Sequence, residues 1–126
     1  MAGTLTISTL SDGTNSTSAT NLVRGACVAW VNFVGTSATI NAGYNVSSIT
    51  RLSAGQYEVN FTNALADANY SAILGMVPGS AINPSRPMLK IDGSGAYSTT
   101  KFSIGTWSPT TTVLVDAPMV TVAVFR

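Results

Sequence analysis

No segment of this chain spaces apolar side chains at helical intervals over ten or more positions, whereas alternation with a period of two recurs along its length. That pattern confines the chain to β-structure and limits any helix to a single turn, for which residues 63–68 are the best candidate. The cleanest alternation runs over residues 56–62. Tyr57, Val59 and Phe61 fall on one side and Gln56, Glu58, Asn60 and Thr62 on the other, as in a half-exposed antiparallel strand. Ser53, Ala54 and Gly55 supply the turn before it, so residues 44–62 read as a hairpin.

Residues 26–34 are apolar on both parities, which predicts cover on both sides: the core on one, a second sheet or a neighbouring subunit on the other. Residues 70–77 repeat this pattern and stop at Pro78 and Gly79. Shorter strands are expected at 38–41 and 44–50, with Asn41, Ala42 and Gly43 as the turn between them. Beyond the Pro-rich loop 78–87, strands are expected at 88–91, at 96–107 as one longer strand or a broken pair, and at 112–115 and 119–125, with an Asp-Gly turn at 92–95. Asp67 and Asn69 suit a short connection in which Tyr70 anchors the core.

The N-terminal part stands apart. Residues 3–10 place Leu5 and Ile7 opposite Thr4, Thr6 and Ser8, a strand with one apolar face. Residues 11–21 then offer no large apolar side chain and read as a long loop. Through Leu5, Ile7 and Leu10 such a detached strand can anchor the protein to another subunit or a larger assembly, or it can be an ordinary edge strand. The expected fold is all-β: an antiparallel sandwich or flattened barrel of about eight to ten short strands with a detached N-terminal strand. Residues 1–25 form the arm and 26–126 the knob.

Of the 126 residues, 45% are hydrophobic and only 9% charged, against about 25% charged in ordinary soluble domains. With a formal net charge of +1, little repulsion keeps copies apart, and self-association is expected. The six basic residues are scattered, so no nucleic-acid partner is indicated. No apolar run approaches the roughly 20 residues of a membrane-spanning helix, and no signal-peptide layout is present, which points to synthesis in a cytoplasm without membrane insertion.

Catalytic chemistry has few residues to work with. Histidine is absent, and the five carboxylates, Asp12, Glu58, Asp67, Asp92 and Asp116, are scattered, so neither zinc-ligand spacing nor a nucleophile triad is visible. No enzymatic activity, metal or cofactor is expected. A carboxylate pair meeting in the fold is the one formal route to glycoside hydrolysis. Asp92 in DGSG suits a turn better than a Ca²⁺ site. Cys27, the single cysteine, reads as a small buried hydrophobe. The N-x-S/T matches at Asn15, Asn45, Asn60 and Asn69 are those expected by chance in a Ser- and Thr-rich chain. Tyr97 and Trp107 lie beside loops and Arg86 is the only charge in 78–87, so these three are the candidate exposed recognition residues. The competing use of Tyr97 and Trp107 is to fill the interior.

Four blocks follow in order: AWVNF-x-GT at 29–36, YNVSSIT at 44–50, G-x-Y-x-V-N-F-T at 55–62 and DANY at 67–70. Together they cover about a third of the chain, and they resemble a β-rich domain of bacteriophage virion proteins, found especially at tail-fibre tips. The resemblance implies a non-enzymatic structural protein on the surface of the phage particle. It implies a homotrimeric knob with a role in host attachment, whose partners are other virion proteins and a host-cell surface glycan or protein. The chain starts at Met1 without the long anchoring domain or repetitive shaft of a tail fibre. That departure brings in an alternative: a capsid decoration protein whose residues 1–25 reach onto the shell and stabilise the head. A lectin-like glycan-binding module is the third reading.

Overall fold

The computed structural model describes residues 3–79, 86–89, 97–109 and 112–126, with the side chains of Arg86 and Leu89 left out. Its elements are β1 (Thr9–Ser11), β2 (Ser16–Ser18), α1 (Ala19–Gly25), β3 (Cys27–Val34), β4 (Thr39–Tyr44), β5 (Val46–Ser53) and β6 (Gln56–Phe61). After these come β7 (Ser71–Val77), β8 (Arg86–Leu89), β9 (Lys101–Ser108), β10 (Val113–Leu114) and β11 (Met119–Phe125). Every pairing described is antiparallel. One sheet has the order β4-β3-β11-β7; the other is built on β5-β6-β9, with β8 and β10 also paired to β9. Both stay open, so the molecule is a sandwich and not a flattened barrel.

Alternation explains why the two sheets close on each other. Ala29, Val31 and Phe33 of β3 and Val120, Val122 and Val124 of β11 meet Ile49, Tyr57, Val59, Phe61, Phe102 and Ile104 of the opposite sheet in one buried cluster. Phe33 and Tyr57 join the layers edge to face, with ring centroids 5.2 Å apart. At the other end Phe61, Tyr70, Tyr97 and Phe102 form an aromatic group, and the Tyr70 hydroxyl donates to the Ser98 carbonyl at 3.1 Å. Burial pushes the Tyr70 hydroxyl up to about 12, so it stays a neutral donor.

The chain passes from one sheet to the other between β4 and β5, and Asn45 makes that corner with φ 54°. Its side chain donates to the Val28 and Asn63 carbonyls at 3.2 and 3.3 Å and accepts the Asn63 N–H at 2.8 Å. Asparagine tolerates positive φ and can also reach across the corner. Asn45→Gly keeps the backbone geometry and loses those bonds, so a cost of about 1–2 kcal/mol is expected in urea denaturation.

Four expectations need correction. Residues 3–7 have no regular structure, and the first strand is β1, because Leu5 and Ile7 find no sheet to pack on. Residues 11–21 are not a loop but hold β2 and the start of α1, a seven-residue helix, while 63–68 is not helical. Local capping explains that helix: Ser18 accepts the Asn21 N–H at 3.1 Å, and no helical residue is buried. The turn expected at 41–43 lies inside β4, and the chain turns at Asn45 instead. Within the chain β3 is covered on one side, where Ala29, Val31 and Phe33 are buried; no second sheet lies over Trp30, which is 41% exposed, so of the two covers expected there only a neighbouring subunit is left. Cys27, at the start of that strand, is half-buried, its thiol donating to the Ala29 carbonyl at 3.1 Å. The Asp-Gly turn at 92–95 and most of the 78–87 loop lie outside the described residues.

Candidate interaction surfaces

The arm is built by local hydrogen bonds. Asp12 caps the β1–β2 turn, its Oδ1 accepting the N–H groups of Asn15 and Thr14 at 2.7 and 2.9 Å, and these bonds hold its carboxyl below the usual range. Gly13 follows at φ 94°. The two-stranded sheet belongs to neither layer of the sandwich, and no arm residue enters the buried core. Its apolar side chains are therefore left to solvent: Leu5 is 81% exposed, and Ile7, Leu10, Leu22 and Val23 are exposed with it. An open hollow of about 620 Å³ separates α1 from Asp67, Asn69 and Arg126. There Arg126 Nη2 donates to Asp67 Oδ2 at 2.7 Å, which holds the Asp67 carboxyl below its ordinary value.

The two outward faces of the sandwich differ in chemistry. On the β5-β6-β9 side, Lys101 donates to Glu58 at 2.8 Å, and Asn60 donates to the hydroxyls of Ser48 and Thr50 at 3.2 and 3.1 Å. On the other side, none of β3, β4, β7 and β11 contains Asp, Glu, Lys or Arg. Register aligns Tyr44, Trp30, Ala123 and Ile73 in one row across these four strands. Tyr44 and Ile73 are 60% and 62% exposed. The neighbouring row places Ala42, Asn32, Thr121 and Gly75 side by side. Asn32 is satisfied within the face: it accepts from Asn41 at 3.0 Å and its amide points to Met119 Sδ at 3.3 Å. A hollow of about 420 Å³ lies between Trp30 and Ile73, floored by Gly75, Thr121 and Ala123.

The described carboxylates do not converge. Among the described residues, Asp12 caps a turn, Glu58 pairs with Lys101, Asp67 with Arg126 and Asp116 with Arg51, and no group of three or more His, Cys, Asp or Glu could hold a metal. The expected recognition residues are not brought together as an exposed set. Tyr97 is half-buried, 4.7 Å from Tyr70 and stacked on Phe102. Trp107 is half-buried on β9, its backbone in register with Arg86 and Leu114. The Arg86 side chain lies outside the description. Of the expected anchoring residues, Leu5, Ile7 and Leu10 are all exposed on the arm. Sequence reasoning missed the row Tyr44, Trp30, Ala123 and Ile73. Its signal was available as four apolar strands without a charge, but the partner of each residue depends on strand order.

No family model, curated protein or solved structure matches this chain.

Proposed function

We propose that this chain is a non-enzymatic structural protein of a bacteriophage virion: a self-associating, homotrimeric sandwich knob of tail-fibre type, displayed on the particle with a role in host attachment. The observation that carries this reading is the two-part construction, an apolar arm that the sandwich leaves unburied beside a knob that builds its core without it. An arm with five exposed large apolar side chains stabilises the protein only once something covers them, at roughly 25 cal/mol per Å² before ordering costs. The four blocks that resemble the phage domain supply much of the framework here, including Ala29, Val31, Phe33, Ile49, Tyr57, Val59, Phe61 and Tyr70 of the core. The resemblance is thus one of architecture, and it supports a scaffold before it supports a receptor.

The same arm favours a second reading, capsid decoration, in which Leu5, Ile7 and Leu10 add to a groove or sheet edge of the shell. The lectin-like reading has less to support it, since Tyr97 directs its ring at Tyr70 and Phe102. The test is co-sedimentation of the full chain, and of a chain lacking residues 3–25, with host cells and with empty capsids. Sedimentation with cells is expected for the fibre knob. Sedimentation with capsids alone, lost with the arm, would make it a decoration protein, and binding to neither would defeat both. Because no arm residue is in the core, the shortened chain is expected to melt within about 5 °C of the full chain, or about 1 kcal/mol. Calorimetry checks this.

A further inference from the structure

We infer that the uncharged outward face of the β4-β3-β11-β7 sheet is where a second copy of this chain docks, the Trp30 and Tyr44 ridge of one copy entering the hollow over Gly75 and Ala123 of the other. This rests on the self-association in the proposed function and not on its virion part or its trimer, because a face that pairs with its own copy joins chains two by two.

Charge selects the occupant. A sheet that faces water normally carries polar or charged side chains outward, as the β5-β6-β9 face does with the half-exposed Lys101, which pairs with the buried Glu58. The opposite face has no charge to offer a charged partner, and burying a partner's charge there without a counterpart is costly. A second copy brings an identical face that also has no charge to bury. The edge of this sheet points the same way: β7 carries neither a charge nor a proline, the usual guards of a free edge.

Shape makes the face complementary to itself. Large side chains, Trp30 and Tyr44, stand at one end of the register row, and the hollow lies beyond them over Gly75 and Ala123. Gly75 keeps the hollow open, and a Cβ on it would lie 2.6 Å from Thr121 Oγ1, so that side chain would have to turn away to admit one. Asn32, the polar group near its rim, already has partners within the face and adds no unmet bond on docking. Four strands about 4.8 Å apart and about seven residues long give a flat footprint of about 440 Å², to which the protruding Trp30, Tyr44 and Ile73 add. Two such faces reach the roughly 1,000 Å² that a specific interface needs.

The test is sedimentation equilibrium of the full chain over a hundredfold concentration range, beside Ile73→Lys, Tyr44→Lys and the control Leu52→Lys. Leu52 is 45% exposed on β5, away from this face. The expected result is an oligomer for the parent and the control, and at least a tenfold weaker association for Ile73→Lys and Tyr44→Lys. Ile73→Thr, which keeps the β-branched shape, replaces the lysine variant if circular dichroism shows that it has not folded. An oligomeric parent whose face variants associate as tightly would overturn this interface and leave the self-association reading intact. A parent that is monomeric at every concentration would overturn both.

Discussion

Gly55→Ala is expected to remove about 3–6 kcal/mol of folding stability, enough to leave much of the protein unfolded at 37 °C, as read by urea denaturation or by loss of soluble expression. Two causes act at the same atom. Gly55 holds the second position of the Ala54–Gly55 turn with φ 68°, a conformation that costs an L side chain roughly 1–2 kcal/mol. A Cβ there would also lie 2.4 Å from the Val115 nitrogen and 2.7 Å from both the Thr106 and Val115 oxygens. These are backbone atoms, so relief requires moving the chain, and overpacking of this kind adds roughly 1–3 kcal/mol before any hydrogen bond is lost. The bonds at risk are Thr106 N–H to the Gly55 carbonyl at 2.8 Å and Val115 N–H to the Thr106 carbonyl at 2.9 Å.

Gly13→Ala presents a positive φ without the close approach. Gly13 also has positive φ, 94°, but nothing lies within 4 Å of a Cβ built on it. Its replacement is expected to leave the sandwich transition nearly unchanged, since the turn belongs to the arm. Comparable losses for the two variants would show that the arm melts with the sandwich and that backbone conformation, and not the close approach of Thr106 and Val115, dominates at Gly55.

Much of this fold was legible from side-chain periodicity, because burying one face of a strand is a local consequence of sequence. The strand over Gln56–Phe61 buries Tyr57, Val59 and Phe61, as its alternation predicts, although Glu58 on the other parity is buried as well, and Met119–Phe125 forms the strand expected there. Tyr70 is likewise the core anchor expected, following a connection in which Asn69 N–H donates to Asp67 at 2.8 Å. Helix α1 was not legible, because its seven residues carry no buried stripe and its N-terminal bond comes from a single serine in a Ser- and Thr-rich stretch. The β4 strand was misplaced for a similar reason: Asn41, Ala42 and Gly43 look like a turn, yet pairing with β3 holds Ala42 and Gly43 extended. Both apolar parities of β3 were correctly read as apolar, but whether the second is covered depends on partners outside the chain. The sites that need strand order were out of reach. Nothing in the sequence brings Asp116 to Arg51 or sets Trp30 beside Ala123 and Ile73.

Asp116→Ala is expected to cost about 2–4 kcal/mol, and the native carboxylate is expected to make the protein sensitive to acid in a defined window. Asp116 ties one end of the sandwich together. It accepts Arg51 Nε and Nη2 at 3.0 and 2.6 Å, the Gly55 N–H at 2.9 Å and the Tyr57 hydroxyl at 2.7 Å. The residues around it are pinned from both sheets, by Gly35 N–H to the Ala117 carbonyl at 3.0 Å and by Thr106 Oγ1 to the Val115 carbonyl. Removing the carboxylate strands a buried tyrosine hydroxyl and a backbone donor, the costly side of hydrogen-bond energetics. The loss falls short of that for a fully buried pair, because Arg51 is 37% exposed and water can take up its charge. Burial alone would raise the Asp116 carboxyl, but the bonds from Arg51, Gly55 and Tyr57 together with the Arg51 charge outweigh it and bring it down to about 2. Burial and the same carboxylate push the Tyr57 hydroxyl up, so it remains a donor at any pH at which the protein is handled. A carboxyl lower in the folded state than in the unfolded chain stabilises the fold above the unfolded value, near 4. That stabilisation is lost as pH falls from about 4 towards 2. Denaturation midpoints of the parent are therefore expected to drop across that range by the equivalent of about 1–2 kcal/mol, discounted for the exposed arginine. Asp116→Asn, which keeps the shape and loses the charge, is expected to flatten much of that slope, and an unchanged acid profile in this variant would place the acid sensitivity at Asp67 or Asp12 instead.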